Sequence, residues 1–283
     1  MERKTFELRG RTYGVPGELF VIAGPDLAEP PELCLRVARR LAAVCTRLGI
    51  GYVYKGSFDK ANRTSADAYR GPGLEAGLAA LAAVRDEIGV PVLTDVHEPW
   101  QVEPAARVCD MLQVPAFLCR QTDLLLACAR SGRPVNVKKG QFLAPWDMVR
   151  VVEKLERAGA AGLLLTERGS CFGYNMLVTD LRALPIMQQQ TGWPVCYDAS
   201  HSQQLPSGRG ASSGGMGEMI PVMARAAVAA GADAVFFECH EDPAAAPVDP
   251  DTHIALEQLE PLLEELVAIR RALGGARTKG GRQ

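Results

Sequence analysis

Short apolar runs recur along the chain, and nearly every one ends in polar or charged residues. Eight are readable: Phe20–Gly24, Gly51–Phe58, Val90–Val96, Met111–Pro115, Val135–Lys138, Gly162–Arg168, Pro194–Ser200 and Ala234–His240. Their length and their Val, Ile and aromatic content read as buried strands. Between them lie stretches of helical character such as Pro31–Leu48, Gly73–Ile88 and Met148–Ala158. Eight strand–helix alternations predict a closed parallel barrel, the (β/α)8 or TIM barrel, whose chemistry sits at the C-terminal mouth of the strands. The residues at or just past the run ends are therefore the ones to inspect. They are Asp26, Lys55 and Lys60, Asp95 with His97, Gln113, Lys138, Arg168, Asp198 with His201, and Glu238.

The pattern also divides the chain. Residues 1–18 read as an N-terminal β-hairpin, Thr5–Leu8 and Thr12–Val15 flanking Arg9-Gly10-Arg11, placed to cap the bottom of the barrel. The catalytic barrel occupies 19–273, and the Gly-rich, basic segment 274–283 is expected to be a disordered tail. Three βα loops, Asp59–Pro72, Ser202–Gly215 and Asp242–Thr252, exceed the usual ~2–6 residues. All fall at the predicted active face, and the Gly and Ser content of Ser202–Gly215 predicts a mobile loop.

Composition agrees. The chain has 283 residues, against roughly 250 for such a barrel, and 47% hydrophobic content suits one core and one domain. A net charge of −2 with mixed signs gives no field for nucleic acid or an anionic membrane. No apolar run approaches the ~18–20 residues of a membrane span, and the N-terminus lacks an apolar signal region, so a cytoplasmic protein is expected. None of the eight cysteines forms a Cys-x-x-Cys pair. Cys34, Cys45, Cys109, Cys128, Cys196 and Cys239 sit in apolar patterns and are expected to be reduced and buried. Cys119 and Cys171 lie nearer the mouth.

Lys55, Lys60, Arg63, Arg120, Lys138 and Arg168 come from separate strands or loops, which a barrel brings together. That many convergent cations suit two phosphate groups better than one. Gly71-Pro-Gly73-Leu-Glu-Ala-Gly77 has the wrong spacing for a dinucleotide fingerprint and reads as a helix start. Asp26, His201, Glu238 and Asp249 follow runs one, seven and eight, which are neighbours in a closed barrel. One imidazole and three carboxylates suit a hard or borderline divalent metal, manganese, iron or magnesium more than zinc. A metal-free polar cluster salt-bridged to Lys55 or an arginine is the equal alternative.

Five motifs are longer than chance allows: Lys55-Gly-Ser-Phe-Asp-Lys-Ala-Asn-Arg63-Thr-Ser, Thr94-Asp-Val-His97-Glu, Pro115-Ala-Phe-Leu-Cys-Arg-Gln-Thr-Asp123, Asn136-Val-Lys-Lys-Gly-Gln-Phe142 and Thr166-Glu-Arg-Gly169 with Phe172-Gly-Tyr. Together they closely resemble the 3-deoxy-D-manno-octulosonate 8-phosphate synthase family, over about Phe20 to Leu273. The resemblance implies a homotetrameric barrel that condenses phosphoenolpyruvate with D-arabinose 5-phosphate, releasing phosphate, in lipopolysaccharide biosynthesis. It also implies that Lys60, Lys138, Arg168, Gln113 and the Pro115-Ala116 backbone surround phosphoenolpyruvate, with Lys55 between the substrates. Asn62, Arg63 and Thr64 would hold the arabinose phosphate, where the family more often has Ser at the last position. Arg120 would contribute to phosphate binding across a subunit boundary, and Asp95 and His97 would line the reacting centre.

One residue departs from the family. Metal-dependent members carry Cys after Gly-Pro in the first strand motif and metal-independent members carry Asn; here the residue is Asp26. Lys139-Gly-Gln-Phe-Leu-Ala-Pro-Trp146 and Gly214-Gly-Met216 look more like the metal-dependent branch. The expectation is a weakly held, hard divalent ion, with Asp26 as an Asn-like residue of a metal-independent enzyme as the alternative. Three rival readings stand beside this one. The first is 3-deoxy-D-arabino-heptulosonate 7-phosphate synthase, using erythrose 4-phosphate; it usually has Lys-Pro-Arg-Thr-Ser where this chain has Lys-Ala-Asn-Arg-Thr-Ser. The others are a Schiff-base aldolase with Lys138 as nucleophile and a non-catalytic phosphosugar-binding barrel.

Overall fold

The computed structural model describes residues 2–208, 210 and 213–279, with side chains described to Gly274. Eight parallel strands close into a barrel: β1 Phe20–Gly24, β2 Gly51–Lys55, β3 Val92–Asp95, β4 Met111–Val114, β5 Val135–Lys138, β6 Leu163–Glu167, β7 Val195–Asp198 and β8 Ala234–His240. Closure comes from β8, which pairs with β1 through Ala234↔Phe20 and with β7 through Cys196↔Ala234. Eight helices follow the strands: α1 Pro31–Leu48, α2 Leu74–Ile88, α3 Pro99–Val108, α4 Thr122–Arg130, α5 Met148–Arg157, α6 Ala183–Thr191, α7 Ile220–Ala230 and α8 Leu256–Lys279. Local chemistry sets their ends. Pro31 opens α1 and Gly49 closes it in the left-handed conformation, while Glu98 and Gln101 form a reciprocal capping box at α3.

Strand alternation separates two cores. Outward side chains such as Val21, Tyr54, Val114, Val137, Leu165 and Phe237 pack against the helices in a large apolar layer. Inward ones, including Phe20, Ile22, Val53, Leu93, Met111, Leu164, Cys196 and Phe236, fill the lower half of the barrel. The N-terminal hairpin, Phe6–Leu8 against Arg11–Tyr13, adds Phe6, Leu8 and Tyr13 to that inner cluster and so seals the bottom as expected. Phe6 stacks on Tyr13 at 5.7 Å, and both meet the Phe20 ring edge-on. Gly162 is required here, because a Cβ would lie 2.3 Å from the Cβ of Phe6.

Two features differ from the sequence pattern. A hairpin, Ser170–Gly173 with Met176–Val178, follows β6 where no separate element was expected; Asn175 makes its turn at a φ of 55°. The segment 274–283, expected to be disordered, continues α8 as far as Lys279, and residues 280–283 lie outside the described residues. Helix propagation from a packed segment gains a hydrogen bond per residue, which carries α8 past Gly274 and Gly275 despite their low helix propensity. Of the loop expected to be mobile, Arg209, Ala211 and Ser212 also lie outside the described residues. All eight cysteines are free and only Cys171 is exposed, so Cys119 joins the buried set. No helix among the described residues is long and apolar enough to cross a membrane.

Candidate active site

The upper half of the barrel interior is built by continuing the inward alternation two residues further. Val53 leads to Lys55, Leu93 to Asp95, Met111 to Gln113, Leu164 to Thr166, Cys196 to Asp198 and Phe236 to Glu238. Each polar side chain thus stands directly above an apolar one on a rigid strand. Gly24 ends β1 without a side chain because a Cβ would lie 1.9 Å from the Lys55 carbonyl oxygen.

Above this layer opens a cavity of about 280 Å³, lined by Lys55, Lys60, Asn62, Asp95, His97, Gln113, Pro115, Ala116, Phe117, Lys138, Gln141, Arg168 and His201. A second cavity of about 190 Å³ adjoins it, sharing Lys60, Asn62, Phe117, Gln141 and Arg168 and adding Arg63, Thr64, Gln204, Ser207 and Asp249. Four of the six cations predicted to converge line the first cavity and Arg63 lines the second. Arg120 is exposed on the segment between β4 and α4 and lines neither, because that segment turns it outward. A separate cavity of about 300 Å³ behind Asp26, bordered by Leu33, His240 and His253, contains no Lys or Arg and so offers no anion site.

The buried charges form two chains. In the first, Lys55 donates to Glu238 at 2.8 Å and reaches Asp26 at 3.3 Å, while Lys60 pairs with the same Asp26 oxygen. Lys60 also donates to Ser57 at 3.0 Å, Ser57 donates to Asp95, and Asp95 meets His97 at 3.1 Å. In the second, Asp198 accepts from Lys138 at 2.6 Å and contacts His201 Nδ1 at 2.9 Å. Arg168 donates to Gln204 at 3.1 Å and leaves Nη1 buried without a partner. Behind these, Asn136 donates to Gln113 at 2.9 Å and accepts from Thr166 at 2.7 Å, which fixes the Gln113 amide.

Burial alone would raise the carboxylate pKa values and lower those of the cations. Burial would lower Lys55, but Glu238 and Asp26 outweigh it and hold the ammonium above its ordinary value. For Asp26 and Asp95, burial is likewise outweighed, by Lys60 and Lys55 at the former and by His97 and Lys60 at the latter, so both lie well below the usual range. Burial pushes Lys138 down against the opposing pull of Asp198. Burial and the Asp26 carboxylate push Glu238 up, and burial pushes His201 down.

Of the four residues predicted to ligate a metal, the structure brings three together. One ligand atom each from Asp26, His201 and Glu238 lies within 4.8 Å of the others. Asp249 stands apart, paired to Arg63 at 3.1 Å and accepting from Gln204 at 3.1 Å, so at this position the predicted set of four is reduced to three. Asp26 Oδ2 and Glu238 Oε2 are buried without hydrogen-bond partners. Two partnerless carboxylate oxygens beside an imidazole fit a divalent cation as their missing partner. The Lys55 and Lys60 contacts to Asp26 show that the salt-bridged arrangement coexists with that geometry.

Ser57, Asn136, Thr166, Gln141 and Gln204 were not singled out from the sequence, and Asp198 was noted there without a role. The inward register could have found Thr166 and Asp198, since each stands two positions beyond an apolar inward residue. Ser57 and Gln204 carry no such signal.

Residues 9–273 match the model of the DAHP synthetase I family. A 2-dehydro-3-deoxyphosphooctonate aldolase of Cyanothece sp. is 57% identical over 253 residues, 89% of this chain and 92% of the relative. Proteins of the same name from Desulfosudis oleivorans and Rhodopseudomonas palustris are 54% and 59% identical, covering 95% and 90% of this chain and 96% and 89% of the relatives. The chain belongs to the DAHP synthetase I family and, within it, to the group of the 2-dehydro-3-deoxyphosphooctonate aldolases.

Proposed function

We propose that this enzyme condenses phosphoenolpyruvate with D-arabinose 5-phosphate and water to give 3-deoxy-D-manno-octulosonate 8-phosphate and phosphate, in lipopolysaccharide biosynthesis. The observation that carries the reading is the pair of adjoining cavities with Lys60 and Arg168 in their shared wall. Two phosphorylated substrates held side by side need such a wall. The aldose follows from the names of the relatives, which favour arabinose 5-phosphate over erythrose 4-phosphate.

Lys138, Arg168 and Lys60 grip the phosphate and carboxylate of phosphoenolpyruvate, with Gln113 and the Pro115-Ala116 backbone beneath it. Asn62, Arg63 and Thr64 hold the phosphate of the aldose, and Arg120 adds to that site from a neighbouring subunit. Carbon 3 of phosphoenolpyruvate is a weak nucleophile, so holding it against the aldehyde carbon is the main task of the site. Alignment of this kind supplies several of the roughly 7–11 kcal/mol open to ideal positioning. As the carbon–carbon bond forms, positive character develops at carbon 2 and water adds there. Asp95, with its hydrogen-bonded His97, lines that centre, and the proton that the water gives up balances the one the aldehyde oxygen takes as it becomes a hydroxyl. The hemiketal phosphate then expels phosphate by carbon–oxygen cleavage. Lys55 lies between the substrates and balances charge on the aldehyde oxygen.

Asp26, His201 and Glu238 would hold a divalent ion, manganese, iron or magnesium before zinc, which when bound polarises the aldehyde oxygen or orients the water. Lys138 serves as a fixed cation on Asp198 rather than as a Schiff-base nucleophile, so borohydride treatment with substrate leaves no adduct. On this reading the enzyme is a homotetramer in the cytoplasm; Phe172 and Tyr174, exposed on the hairpin after β6, are apolar surface of the kind a subunit contact covers. Phosphate release from phosphoenolpyruvate, measured with each aldose phosphate before and after metal stripping, tests substrate and reaction together. Binding of both substrates with no phosphate release would leave a non-catalytic phosphosugar-binding barrel.

A further inference from the structure

Lys138 and Arg168 stand at the ends of the neighbouring strands β5 and β6 and line the first cavity. Alternation turns their chain neighbours, Lys139 and Glu167, to the other side of the barrel wall. Those neighbours are not solvated: each is 1% exposed, and they pair at 3.5 Å. The Lys139 ammonium uses its donors on the Gly140 carbonyl at 3.2 Å, the Leu143 carbonyl at 3.0 Å and Ser170 Oγ at 3.1 Å. Glu167 Oε1 accepts from the Gly169 amide at 2.7 Å. Main-chain bonds run alongside, from Lys139 N to Thr166 O at 2.7 Å and from Cys171 N to Gln141 O at 2.9 Å. The Lys139 ammonium and these main-chain bonds therefore tie the loop leaving β5 to the hairpin leaving β6, with the Glu167 carboxylate facing the ammonium through an oxygen that makes no hydrogen bond.

Stability alone does not account for this pair. Two well-packed apolar side chains usually serve stability as well as a buried ion pair does, because desolvation of the charges offsets their attraction. What charges add is direction. The pair joins two strand ends whose neighbouring residues are the cations of the cavity, and Gln141, two residues beyond Lys139, lines both cavities. We infer that Lys139 and Glu167 are positioning residues for phosphoenolpyruvate: their ion pair sets the spacing of Lys138 and Arg168 and aims Gln141, without touching substrate. The inference rests on the assignment of Lys138 and Arg168 to phosphoenolpyruvate made above.

The decisive variant is the double substitution Lys139→Met with Glu167→Gln, which removes both charges while keeping their volume. Thermal unfolding is measured first, then kcat and KM for each substrate, and phosphoenolpyruvate affinity by calorimetry without the aldose. The expected result is a Tm within a few degrees of the parent and a KM and Kd for phosphoenolpyruvate raised about tenfold or more. The KM for arabinose 5-phosphate rises by less than that for phosphoenolpyruvate, because, of the residues the pair positions, only Arg168 and Gln141 also line the second cavity. A folded double variant with parental phosphoenolpyruvate KM and Kd overturns the inference, as does a loss confined to kcat. If the double variant does not fold, Glu167→Gln alone is judged by the same criteria. A parent enzyme that releases no phosphate from the two substrates fails the functional reading instead, so the two failures are told apart.

Discussion

Lys55 and Glu238 meet at 2.8 Å inside the barrel, each side chain 1% exposed, and the same ammonium reaches Asp26 at 3.3 Å. Lys55→Met leaves two buried carboxylates short of a partner. Breaking such a pair from one side destabilises a protein by roughly 3–5 kcal/mol. Urea unfolding of the parent and the variant measures it, and a change under about 1 kcal/mol would show the pair to be hydrated in solution.

Arg63 pairs with Asp249 at 3.1 Å in the wall of the smaller cavity, with its Nε buried and partnerless. A guanidinium bound to a phosphate contributes about 1.5–3 kcal/mol. Arg63→Ala therefore raises the KM for arabinose 5-phosphate about 10- to 100-fold while phosphoenolpyruvate shifts by less than about threefold. Arabinose lacking the phosphate, assayed with both enzymes, should erase the difference; if it does not, Arg63 serves some other group.

Exhaustive chelation should lower turnover, and manganese should restore it better than zinc, since Asp26 and Glu238 supply hard oxygen donors. Asp26→Cys should move the preference toward zinc and cadmium, because thiolate is the softer ligand. Full activity in enzyme shown by elemental analysis to hold substoichiometric metal would falsify this.

Acid stability follows from Asp198. Burial would raise its pKa, but His201, Lys138 and Arg168 outweigh burial and hold the carboxyl well below its ordinary value. Because the folded value lies below the unfolded one, near 3.9, the stabilisation is present above about pH 4 and is lost as pH falls further. Asp198→Asn removes that contribution, so its unfolding midpoint, followed from about pH 5 down to about pH 2, should fall less steeply than the parent's. An equally steep decline in the variant would place the acid sensitivity elsewhere.

The barrel was legible because its signal repeats. Phe20–Gly24, Val135–Lys138 and Ala234–His240 occupy the lengths that their apolar runs predict. Other runs overshoot where apolar residues continue past the end of the strand, as Val96 does beyond Asp95 and Phe58 beyond Lys55. Local pattern does not encode choices between distant partners. Asp249 follows β8 as a ligand set would require, yet a left-handed backbone at φ 45° and the guanidinium of Arg63 hold it away from the triad. Lys139 was given no role from the sequence, and only the pleat shows that it turns away from Lys138. The hairpin after β6 escaped notice because Ser170–Gly173 and Met176–Val178 are mostly exposed and so lack the longer apolar run that marks a buried strand.

Phe6, Leu8 and Tyr13 stopper the lower opening of the barrel with aromatic bulk. Traffic through the molecule is consequently one-way-in, same-way-out: both reactants, the sugar acid formed and the liberated phosphate all use a single doorway. Nothing can drain through the base, so an occupant still standing in that doorway holds back whatever lies behind it.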